Sequence, residues 1–576
     1  MQLDPNVQER AARWLQAPYD QETIQAVKQL FDNKQEEALT DAFYKDIEFG
    51  TGGLRGIMGV GTNRMNKYTI GRATQGLSDY LLSVYAGQPV KVAVSYDSRN
   101  NSREFAQLVA DVFSANGIHV FLFNELRPTP LLSFAVRHLD CRAGVMLTAS
   151  HNPKEYNGYK AYWNDGGQLV PPHDKNVIKA VYAITDPGQI RFNRIEANIT
   201  GLDGALDEAY LREIIKLTLR PQAVAGQHDL KIVFSPIHGT GITLVPPALK
   251  QWGFSNVRVV ASQAQPDGNF PTVVYPNPEE GEAMSRALQE GEEIGADVVF
   301  ATDPDADRVG VAAKNTKRVF ELLNGNQIGS LLVNYVLSAK QEQGDLRQTD
   351  YVVKTIVTTN LIADIASAYG VTYYDTLTGF KYIGELMTQQ EGSGRFLVGG
   401  EESYGYLVGE LVRDKDAVVS AVFVAEMTAY YKSLGKTLHD VLIDLYLQHG
   451  FYKEKLISLT KTGKAGADEI KGMMERLRND PPKTLGGIEV AMVKDYQRSE
   501  TLQLKTGERT AIDLPKSDVL QFITVDGDVI SARPSGTEPK IKFYCSVKQP
   551  LASRDEFDGV NRQLDEKVAR IMSTLA

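Results

Sequence analysis

The sequence predicts an α/β fold of three similar units followed by a C-terminal α+β domain. The chain has 576 residues, too many for one hydrophobic core, and this length suggests about three to five domains. Short apolar runs alternate with amphipathic helical patterns, and the alternation starts three times along the chain. After about residue 450 it gives way to helices mixed with strands and hairpins.

A helical segment and a glycine-rich loop are predicted to precede the first unit. Trp14, Val27 and Leu30 lie near helical spacing in the first forty-odd residues. FGTGGLRG, residues 49–56, holds too much glycine for a regular element and is predicted to be a loop. The first unit then has predicted strands at 90–96, 119–123 and 145–147, with helices at 101–117 and 130–138.

The next two units are predicted to repeat this order of elements. The second has strands at 230–235, 256–262 and 297–302, with helices near 243–252 and 280–294. The third has strands at 351–359, 371–377 and 395–400, with helices ending at 369 and spanning about 381–390. The last domain is predicted to contain a helix at 468–478, a strand at 487–493, a hairpin turning at Asp526-Gly527 and a closing helix at 553–575.

Composition excludes several classes of function. The formal net charge is -10 and no long basic run occurs, which argues against nucleic acid or an anionic membrane as a partner. The two cysteines, Cys141 and Cys545, cannot form a disulfide framework and favour a reducing compartment. The N-terminus lacks the apolar core of a signal peptide, and no stretch reaches the ~18 apolar residues of a membrane span. The sequence therefore predicts a soluble cytoplasmic protein.

Each of the three units places its most polar loop directly after its last short strand. These loops are TASHNP (148–153), DPDADR (303–308) and GEESYG (400–405). Ligands of open α/β sheets gather at the carboxyl ends of strands. The three loops are therefore expected to face one cleft.

The loop DPDADR indicates a metal site. Asp303, Asp305 and Asp307 alternate after an apolar strand, and carboxylates this close repel one another unless a cation binds. Their hard oxygens suit Mg²⁺, Mn²⁺ or Ca²⁺. An EF-hand is excluded because Arg308 and Lys314 stand where its glycine and its bidentate glutamate belong. An aspartyl nucleophile and a solvated acidic turn remain alternatives.

Ser150 is the candidate nucleophile. A serine hydroxyl is weak unless activated, but beside a divalent cation it makes a good phosphate carrier. The adjacent His151 suggests a hydrolase, yet no Gly-x-Ser-x-Gly elbow surrounds the serine. A hydroxyl that only bonds the backbone is the alternative.

Three further segments suggest the recognition of a phosphorylated sugar. RPSGTEPKIK, residues 533–542, has the donors of a phosphate clamp, although a basic turn after a hairpin is the alternative. GGEESYG offers carboxylates that suit vicinal hydroxyls, and Arg55 is the single charge of the glycine-rich loop. His238 in SPIHGTG is predicted to be a hydrogen-bonded structural histidine.

Together these loops resemble the α-D-phosphohexomutase superfamily over nearly the whole chain. TGGLRG, TASHNP, DPDADR, GEESYG and RPSGT occur in the family's order. The resemblance implies four domains around a central cleft, with divisions at 1–205, 206–320, 321–450 and 451–576. It departs in the metal loop, where Pro304 and Ala306 replace the glycines of many members, and at Lys542, where many carry arginine.

The resemblance also implies roles for individual residues. Ser150 matches the phosphoserine and contributes an oxygen to a Mg²⁺ site formed with Asp303, Asp305 and Asp307. The implied catalytic residues beside it are Arg55, His151 and Lys160. The implied substrate-binding residues are Arg308, Thr378, Gly379, Lys381, Glu401 and Ser403. The implied phosphate-binding residues are Arg533, Ser535, Gly536, Thr537 and Lys542.

The implied reaction interconverts glucose 1-phosphate and glucose 6-phosphate. Phospho-Ser150 would phosphorylate the sugar to a glucose 1,6-bisphosphate intermediate, which also serves as activator, and would then recover the other phosphate. Lys160 would carry the proton if cationic surroundings lower its pKa, and the last domain is expected to move. The alternatives are mannose or pentose phosphates as substrate, a Mg²⁺-dependent sugar phosphatase, and a non-catalytic sugar-phosphate binding module. A monomer or weak dimer is expected.

Overall fold

The protein is described here from a computed structural model covering residues 3–50, 52–461, 463–535 and 540–575. The predicted N-terminal helices are confirmed as α1 (Pro5–Arg13), α2 (Gln21–Asp32) and α3 (Glu36–Phe43). They pack around Trp14, which stacks on Tyr19 at 4.4 Å between ring centroids and meets Tyr68 edge-on. This cluster attaches the helices to the first unit through Tyr68.

The first unit is a six-stranded sheet with helices on its faces. Its elements are β1 (Gly53–Ile57), α4 (Lys67–Val84), β2 (Lys91–Tyr96), α5 (Ser102–Ala115), β3 (His119–Phe123), α6 (Thr129–His138), β4 (Ala143–Leu147), β5 (Tyr156–Trp163), α7 (His173–Ala183) and β6 (Ile199–Leu202). The strand order is β1-β5-β4-β2-β3-β6.

The prediction of a loop throughout residues 49–56 is wrong, because residues from Gly53 onward form β1. This strand pairs antiparallel with β5, Gly53 lying opposite Lys160. A Cβ at Gly53 would lie 1.7 Å from the carbonyl oxygen of Tyr159, and the φ angle of Gly53 is +127°. The glycine here permits close contact between two backbones rather than freedom of a loop.

The second and third units repeat the layout of the first. The second contains α8 (Gly204–Ile214), α9 (Pro221–Gly226), β7 (Ile232–Ser235), α10 (Gly241–Trp252), β8 (Val257–Val259), α11 (Ala261–Ala264), α12 (Gly281–Ile294), β9 (Val298–Thr302), β10 (Val309–Lys314) and β11 (Phe320–Leu323). The third contains α13 (Gly325–Glu342), β12 (Asp350–Thr355), α14 (Leu361–Ala368), β13 (Thr372–Thr376), α15 (Phe380–Gln389), β14 (Arg395–Glu401), β15 (Gly405–Val408), α16 (Ala417–Ser433) and α17 (Leu438–His449).

The three sheets share one topology. Their common cores run β5-β4-β2-β3, β10-β9-β7-β8 and β15-β14-β12-β13. In each, the first two strands form an antiparallel hairpin and the other neighbours are parallel. Each predicted polar loop is therefore the turn of a hairpin. The second strands of these hairpins, β5, β10 and β15, were not predicted from the sequence.

Two predicted limits differ from the structure. The strand predicted at 256–262 ends at Val259, since residues 261–264 form α11. The predicted division at residue 320 falls at the start of β11, which pairs with β10 and so belongs to the second sheet.

The C-terminal part is an antiparallel sheet flanked by helices, as predicted. It contains β16 (Phe451–Thr460), α18 (Gly463–Asn479), β17 (Thr484–Leu485), β18 (Ile488–Asp495), β19 (Glu500–Gln503), β20 (Arg509–Ala511), β21 (Leu520–Thr524), β22 (Val529–Pro534), β23 (Lys540–Gln549) and α19 (Phe557–Ser573). Gly527 has φ +84° in the turn joining β21 and β22. Among the described helices, none is both long enough and apolar enough to cross a membrane.

Candidate functional site

Strands and loops of all four sheets line one cleft of about 1040 Å³. The first unit contributes Ser150 and Lys160, the second Arg308, the third Glu401, and the C-terminal domain Arg533. The expectation that the polar loops face a common cleft is confirmed, because the hairpin turns of the first three sheets all reach it.

The three turns share a strained backbone. Ser150, Ala306 and Tyr404 have φ angles of +51°, +49° and +65°. The left-handed region costs a residue with a Cβ about 1–3 kcal/mol and persists where neighbours hold it, often at functional sites. Ala306 occupies a position where the family resemblance leads one to expect glycine, which takes this conformation without strain.

Ser150 is buried and its hydroxyl points at the aspartate triad. Its Oγ donates to Asp303 Oδ2 at 2.6 Å and lies 3.2 Å from His151 Nδ1. Burial and the cations of Arg308 and Arg55 lower the pKa of His151 well below its usual value. The imidazole is therefore neutral at pH 7 and can accept or donate one hydrogen bond beside the serine.

Arg99 holds the loop that carries Ser150, and sequence reasoning missed it. Its guanidinium donates to the carbonyl oxygens of Ser150 (2.5 Å), Pro153 (2.8 Å) and Tyr156 (3.1 Å), and also to that of Asn152. Its side chain is fully buried against Asp97. No motif signals this role, because the contacts are made to backbone about fifty residues away.

The aspartate triad can hold a metal ion. One oxygen from each of Asp303, Asp305 and Asp307 lies within 4.8 Å of the others, and all three residues are buried. Oδ1 of Asp305 and Oδ1 of Asp307 are buried without a hydrogen-bond partner. Buried carboxylate oxygens without a partner are costly, so a hard cation with oxygen ligands fits this donor set.

Asp303 is fixed differently from its two neighbours. Its Oδ1 accepts from the main-chain N–H of Asp307 (3.1 Å) and of Arg308 (3.0 Å), while its Oδ2 accepts from Ser150. Burial and the charges of Asp305 and Asp307 raise its pKa. These contacts fix Oδ1 of Asp303 against the main chain and direct Oδ2 toward the Ser150 hydroxyl.

Two lysines balance the triad. Lys160 Nζ lies 2.6 Å from Asp305 Oδ2 and 3.1 Å from Asp307 Oδ2. Lys415, which sequence reasoning missed, lies 3.2 Å from Asp307 Oδ2 and 3.1 Å from Asp414 Oδ1. Burial alone would lower the pKa of Lys160, but Asp305 and Asp307 raise it. This direction is opposite to the lowered pKa expected for a proton carrier, because the surroundings that the structure shows are anionic.

The segment SPIHGTG, residues 235–241, forms hydrogen bonds with the backbone of the metal loop. The main-chain N–H and the hydroxyl of Thr240 both donate to the Pro304 carbonyl, at 2.8 and 2.9 Å. His238 lies 3.0 Å from the Gln265 carbonyl through Nδ1 and 2.9 Å from Thr272 Oγ1 through Nε2. The prediction that His238 is hydrogen-bonded is confirmed.

The third unit presents carboxylates and a hydroxyl. Glu401 is buried and its Oε1 accepts from the main-chain N–H of Gly379 at 2.8 Å. Ser403 lines the cleft, as does Thr378, whose Oγ1 is buried without a partner. Lys381 is different, since it does not line the cleft but lies over the Tyr382 ring.

The C-terminal domain supplies cations to the cleft. Arg533 on β22 lies opposite Lys542 on β23 in the antiparallel sheet. Both residues line the cleft, together with Lys540. Burial, Lys540 and Arg533 lower the pKa of Lys542. The main-chain N–H of Ser535 donates to the Lys540 carbonyl at 2.7 Å. Gly536 and Thr537, predicted to bind phosphate, lie outside the described residues.

Arg55 and Arg308 bring positive charge near the serine. Arg55 projects into the cleft from β1, and its Nη1 lies 3.2 Å from Asn152 Oδ1. Arg308 is the last residue of the metal loop and pairs with Glu279 at 2.6 Å. The site therefore combines a buried hydroxyl, a possible cation site and guanidinium groups, which is what phosphoryl transfer requires.

Sequence comparison identifies the family. Domains described as phosphoglucomutase/phosphomannomutase, alpha/beta/alpha domains I, II and III, match residues 46–187, 208–317 and 324–448. The chain is 35% identical over 542 residues to a phosphoglucomutase of Staphylococcus haemolyticus (strain JCSC1435), covering 93% of this chain and 96% of the relative. It is 36% identical over 545 residues to a phosphoglucomutase of Staphylococcus aureus (strain MRSA252), covering 94% and 96%. The chain belongs to the phosphoglucomutase/phosphomannomutase family, the α-D-phosphohexomutases.

Solved structures show the same fold. A phosphoglucomutase/phosphomannomutase family protein from Burkholderia thailandensis superposes with a TM-score of 0.62 at 19% identity, covering 90% of this chain and 97% of that one. Parafusin, a phosphoglucomutase from Paramecium in its open form, gives 0.65 at 16% identity, covering 92% and 96%. The predicted superfamily and fold class are both confirmed.

Proposed function

We propose that this protein is a phosphoglucomutase that interconverts α-D-glucose 1-phosphate and glucose 6-phosphate through a phosphorylated Ser150. The observation that carries the proposal is the 2.6 Å contact between Ser150 Oγ and Asp303, at the edge of a buried aspartate triad and inside a cleft lined by all four domains. The phosphoglucomutase relatives, at 35% and 36% identity over most of the chain, support the substrate.

In the proposed reaction, each half breaks one oxygen–phosphorus bond and forms another. The Ser150 Oγ–P bond breaks while the free sugar hydroxyl forms its own bond to phosphorus and releases its proton. The resulting glucose 1,6-bisphosphate then reorients within the cleft, so that its other phosphate faces Ser150. Its other ester bond to phosphorus then breaks, the phosphoryl group returns to Ser150, and the sugar oxygen left behind takes up a proton.

Residues of this chain have distinct parts in the proposed cycle. Arg55 and Arg308 stabilise charge on the phosphoryl group in transfer. Lys160 is the proposed proton carrier, since its Nζ lies in the cleft beside the triad. A Mg²⁺ ion held by Asp303, Asp305, Asp307 and a Ser150 oxygen would supply further charge neutralisation. Bound Mg²⁺ would also offset the two carboxylates that raise the pKa of Lys160.

Two sets of cleft residues support recognition of a sugar phosphate. Glu401 and Ser403 are the proposed partners of sugar hydroxyls, with Thr378 and Gly379 shaping the same wall. Arg533, Ser535 and Lys542, together with Gly536 and Thr537, are proposed to hold the phosphate that is not reacting. Such an anchor must accept either end of the sugar, and donors grouped on a separate domain suit this task.

The proposal is tested by a coupled assay with glucose 1-phosphate, Mg²⁺ and a trace of glucose 1,6-bisphosphate. Wild type should form glucose 6-phosphate, and Ser150→Ala should lose at least about a thousandfold in kcat because the acceptor oxygen is gone. Release of inorganic phosphate by both proteins would instead indicate a sugar phosphatase. Turnover of mannose or ribose phosphates alone would shift the assignment to a phosphomannomutase or phosphopentomutase. Binding of the sugar phosphate without any turnover would indicate a non-catalytic sugar-phosphate binding module.

We also propose four domains, at residues 1–205, 206–323, 324–450 and 451–576, with the second limit placed after β11. The four separate sheets support this division, and limited proteolysis with cuts inside a sheet would contradict it. We further propose a cytoplasmic monomer or weak dimer. Two free, buried cysteines suit a reducing compartment, and sedimentation velocity tests the state of assembly.

A further inference from the structure

We propose that Glu279 is a positioning residue that keeps Arg308 directed into the cleft and away from the carboxylate of Asp307. The inference rests on the proposed function, because it concerns the substrate and metal side chains of that site. Glu279 lies in the segment between α11 and α12, and both it and Arg308 line the cleft.

The pair is well defined. Oε1 of Glu279 accepts from Arg308 Nη1 at 2.6 Å, and the two side chains are 27% and 18% exposed. An ion pair that is mostly shielded from water is stronger than a surface pair and orients both partners. The planar guanidinium leaves its other donors free for a ligand.

The segment that carries Glu279 is anchored to the strand that follows Arg308. A Cβ at Gly310 would lie 2.5 Å from the Pro278 carbonyl oxygen, so the two backbones are in direct contact. The main-chain N–H of Glu279 also donates to Asn277 Oδ1 at 3.2 Å. Glu279 therefore has little freedom to follow Arg308 if the arginine moves.

Asp307 is the competing partner. Its Oδ1 lies 3.8 Å from Arg308 Nε, and neither atom has a hydrogen-bond partner. Among the described residues, Glu279 and Asp307 are the carboxylates within ion-pair distance of Arg308. Without the charge of Glu279 the guanidinium would turn toward Asp307 Oδ1, an oxygen that the proposed metal site needs. Glu279 thus serves both the orientation of Arg308 and the availability of Asp307.

The first test compares Glu279→Gln with Glu280→Gln by calorimetric titration with Mg²⁺ alone. Both variants remove one negative charge from the same segment, but Glu280 is exposed and makes no ion pair among the described residues. Glu279→Gln should weaken Mg²⁺ binding by about threefold or more, while Glu280→Gln stays within twofold of wild type. Equal binding by both variants and wild type would overturn the proposal.

The second test is a double-mutant cycle with Arg308→Met in the mutase assay. Glu279→Gln should raise KM for glucose 1-phosphate by about fivefold or more in the wild-type background and by less than about twofold in the Arg308→Met background. An equal rise in both backgrounds would show that Glu279 acts on the substrate directly and would overturn the positioning role. Thermal melting of each variant verifies folding, and Glu279→Asp should give an intermediate KM.

The two tests separate this proposal from the function on which it rests. If wild type lacked mutase activity, the proposed function would fail while the Mg²⁺ titration would still decide whether Glu279 protects Asp307. If wild type were active and the titration showed no difference, the positioning role alone would fail.

Discussion

Ser150 shows at the scale of one residue how a weak nucleophile is prepared by its neighbours. Its left-handed backbone is held by Arg99, which donates to four carbonyl oxygens of the surrounding loop, including that of Ser150. The hydroxyl is thereby aimed at Asp303, and Nδ1 of the neighbouring His151 lies 3.2 Å from it. This arrangement differs from a hydrolytic triad, in which a histidine oriented by a carboxylate activates the serine.

Single residue types in the loops were predictable, but their partners were not. Asp303, Asp305 and Asp307 alternate along five residues of the sequence, so repulsion among them was evident from the chain alone. Lys415, Arg99 and Glu279 contact residues 29 to 108 positions away, namely Asp307, Ser150 and Arg308. An isolated lysine, arginine or glutamate carries no pattern until the fold brings it to its partner.

Glu402 provides a pH-dependent prediction at the residue scale. Burial and the neighbouring Glu401 raise its pKa to about 7, above the ordinary value of about 4.3 in an unfolded chain. Between these two values the folded protein holds the proton and the unfolded chain does not, so stability falls as pH rises through this window. Glu402→Gln removes this pH dependence of stability, because glutamine has no carboxyl group to titrate.

Relative to wild type, Glu402→Gln should therefore gain about 1–3 kcal/mol of stability on going from pH 5 to pH 8. Urea denaturation of both proteins at the two pH values measures the difference. The exposed Glu282→Gln serves as the control and should show no such change. A difference between Glu402→Gln and wild type that is independent of pH would show that Glu402 is ionised throughout.

At the scale of elements, the hairpins explain where the site residues lie. Each of the three turns joins, in chain order, the third strand of the common four-stranded core to the fourth, antiparallel strand, and residues of each turn line the cleft. The alternation of strands and helices was predictable from period and propensity. The second strand of each hairpin could not be predicted, because a short apolar run after a polar turn does not by itself indicate a strand.

Gly325 at the start of α13 supports a prediction about the sugar-facing turn. A Cβ at Gly325 would lie 1.8 Å from the carbonyl oxygen of Glu402. Gly325→Ala should therefore displace this turn, cost about 1–3 kcal/mol of stability and raise KM for the sugar phosphate. Thermal denaturation and steady-state kinetics measure the two effects.

Gly329→Ala is the matched control for Gly325→Ala. It lies in the same helix, and its nearest neighbours would be 3.4 Å from the added carbon, an ordinary contact. Alanine should be neutral or stabilising there by up to about 1 kcal/mol, because it favours helix more than glycine does. Equal destabilisation by both substitutions would mean that the contact with Glu402 is not the cause.

At the scale of the whole molecule, Glu426 joins the second and third units. It is fully buried, and its Oε1 accepts from the main-chain N–H groups of Leu219 and Arg220 and from Tyr335 Oη, at 2.9 to 3.0 Å. Its Oε2 accepts from Trp252 Nε1 at 2.7 Å. One carboxylate thus connects three segments that lie far apart in the sequence.

Glu426→Gln should destabilise the protein by about 2–4 kcal/mol, because an amide must point its NH₂ group at one of these donors. Thermal unfolding measures the loss. Glu342→Gln is the control, since Glu342 also pairs with Arg220 but is 56% exposed, and it should change stability by less than about 1 kcal/mol. Similar losses in the two variants would argue that the buried network is not what joins the units.

The sequence by itself determined the fold class, the family, and the loops that carry Ser150, the aspartates and the sugar-facing glutamate. These features depend on local period, turn chemistry and the order of short motifs, all of which are written along the chain. Tertiary structure decided how the loops meet, which lysines balance the triad and which arginine holds the serine loop. Those contacts join residues from different sheets, and their energies depend on burial and distance, which exist only once the chain has folded.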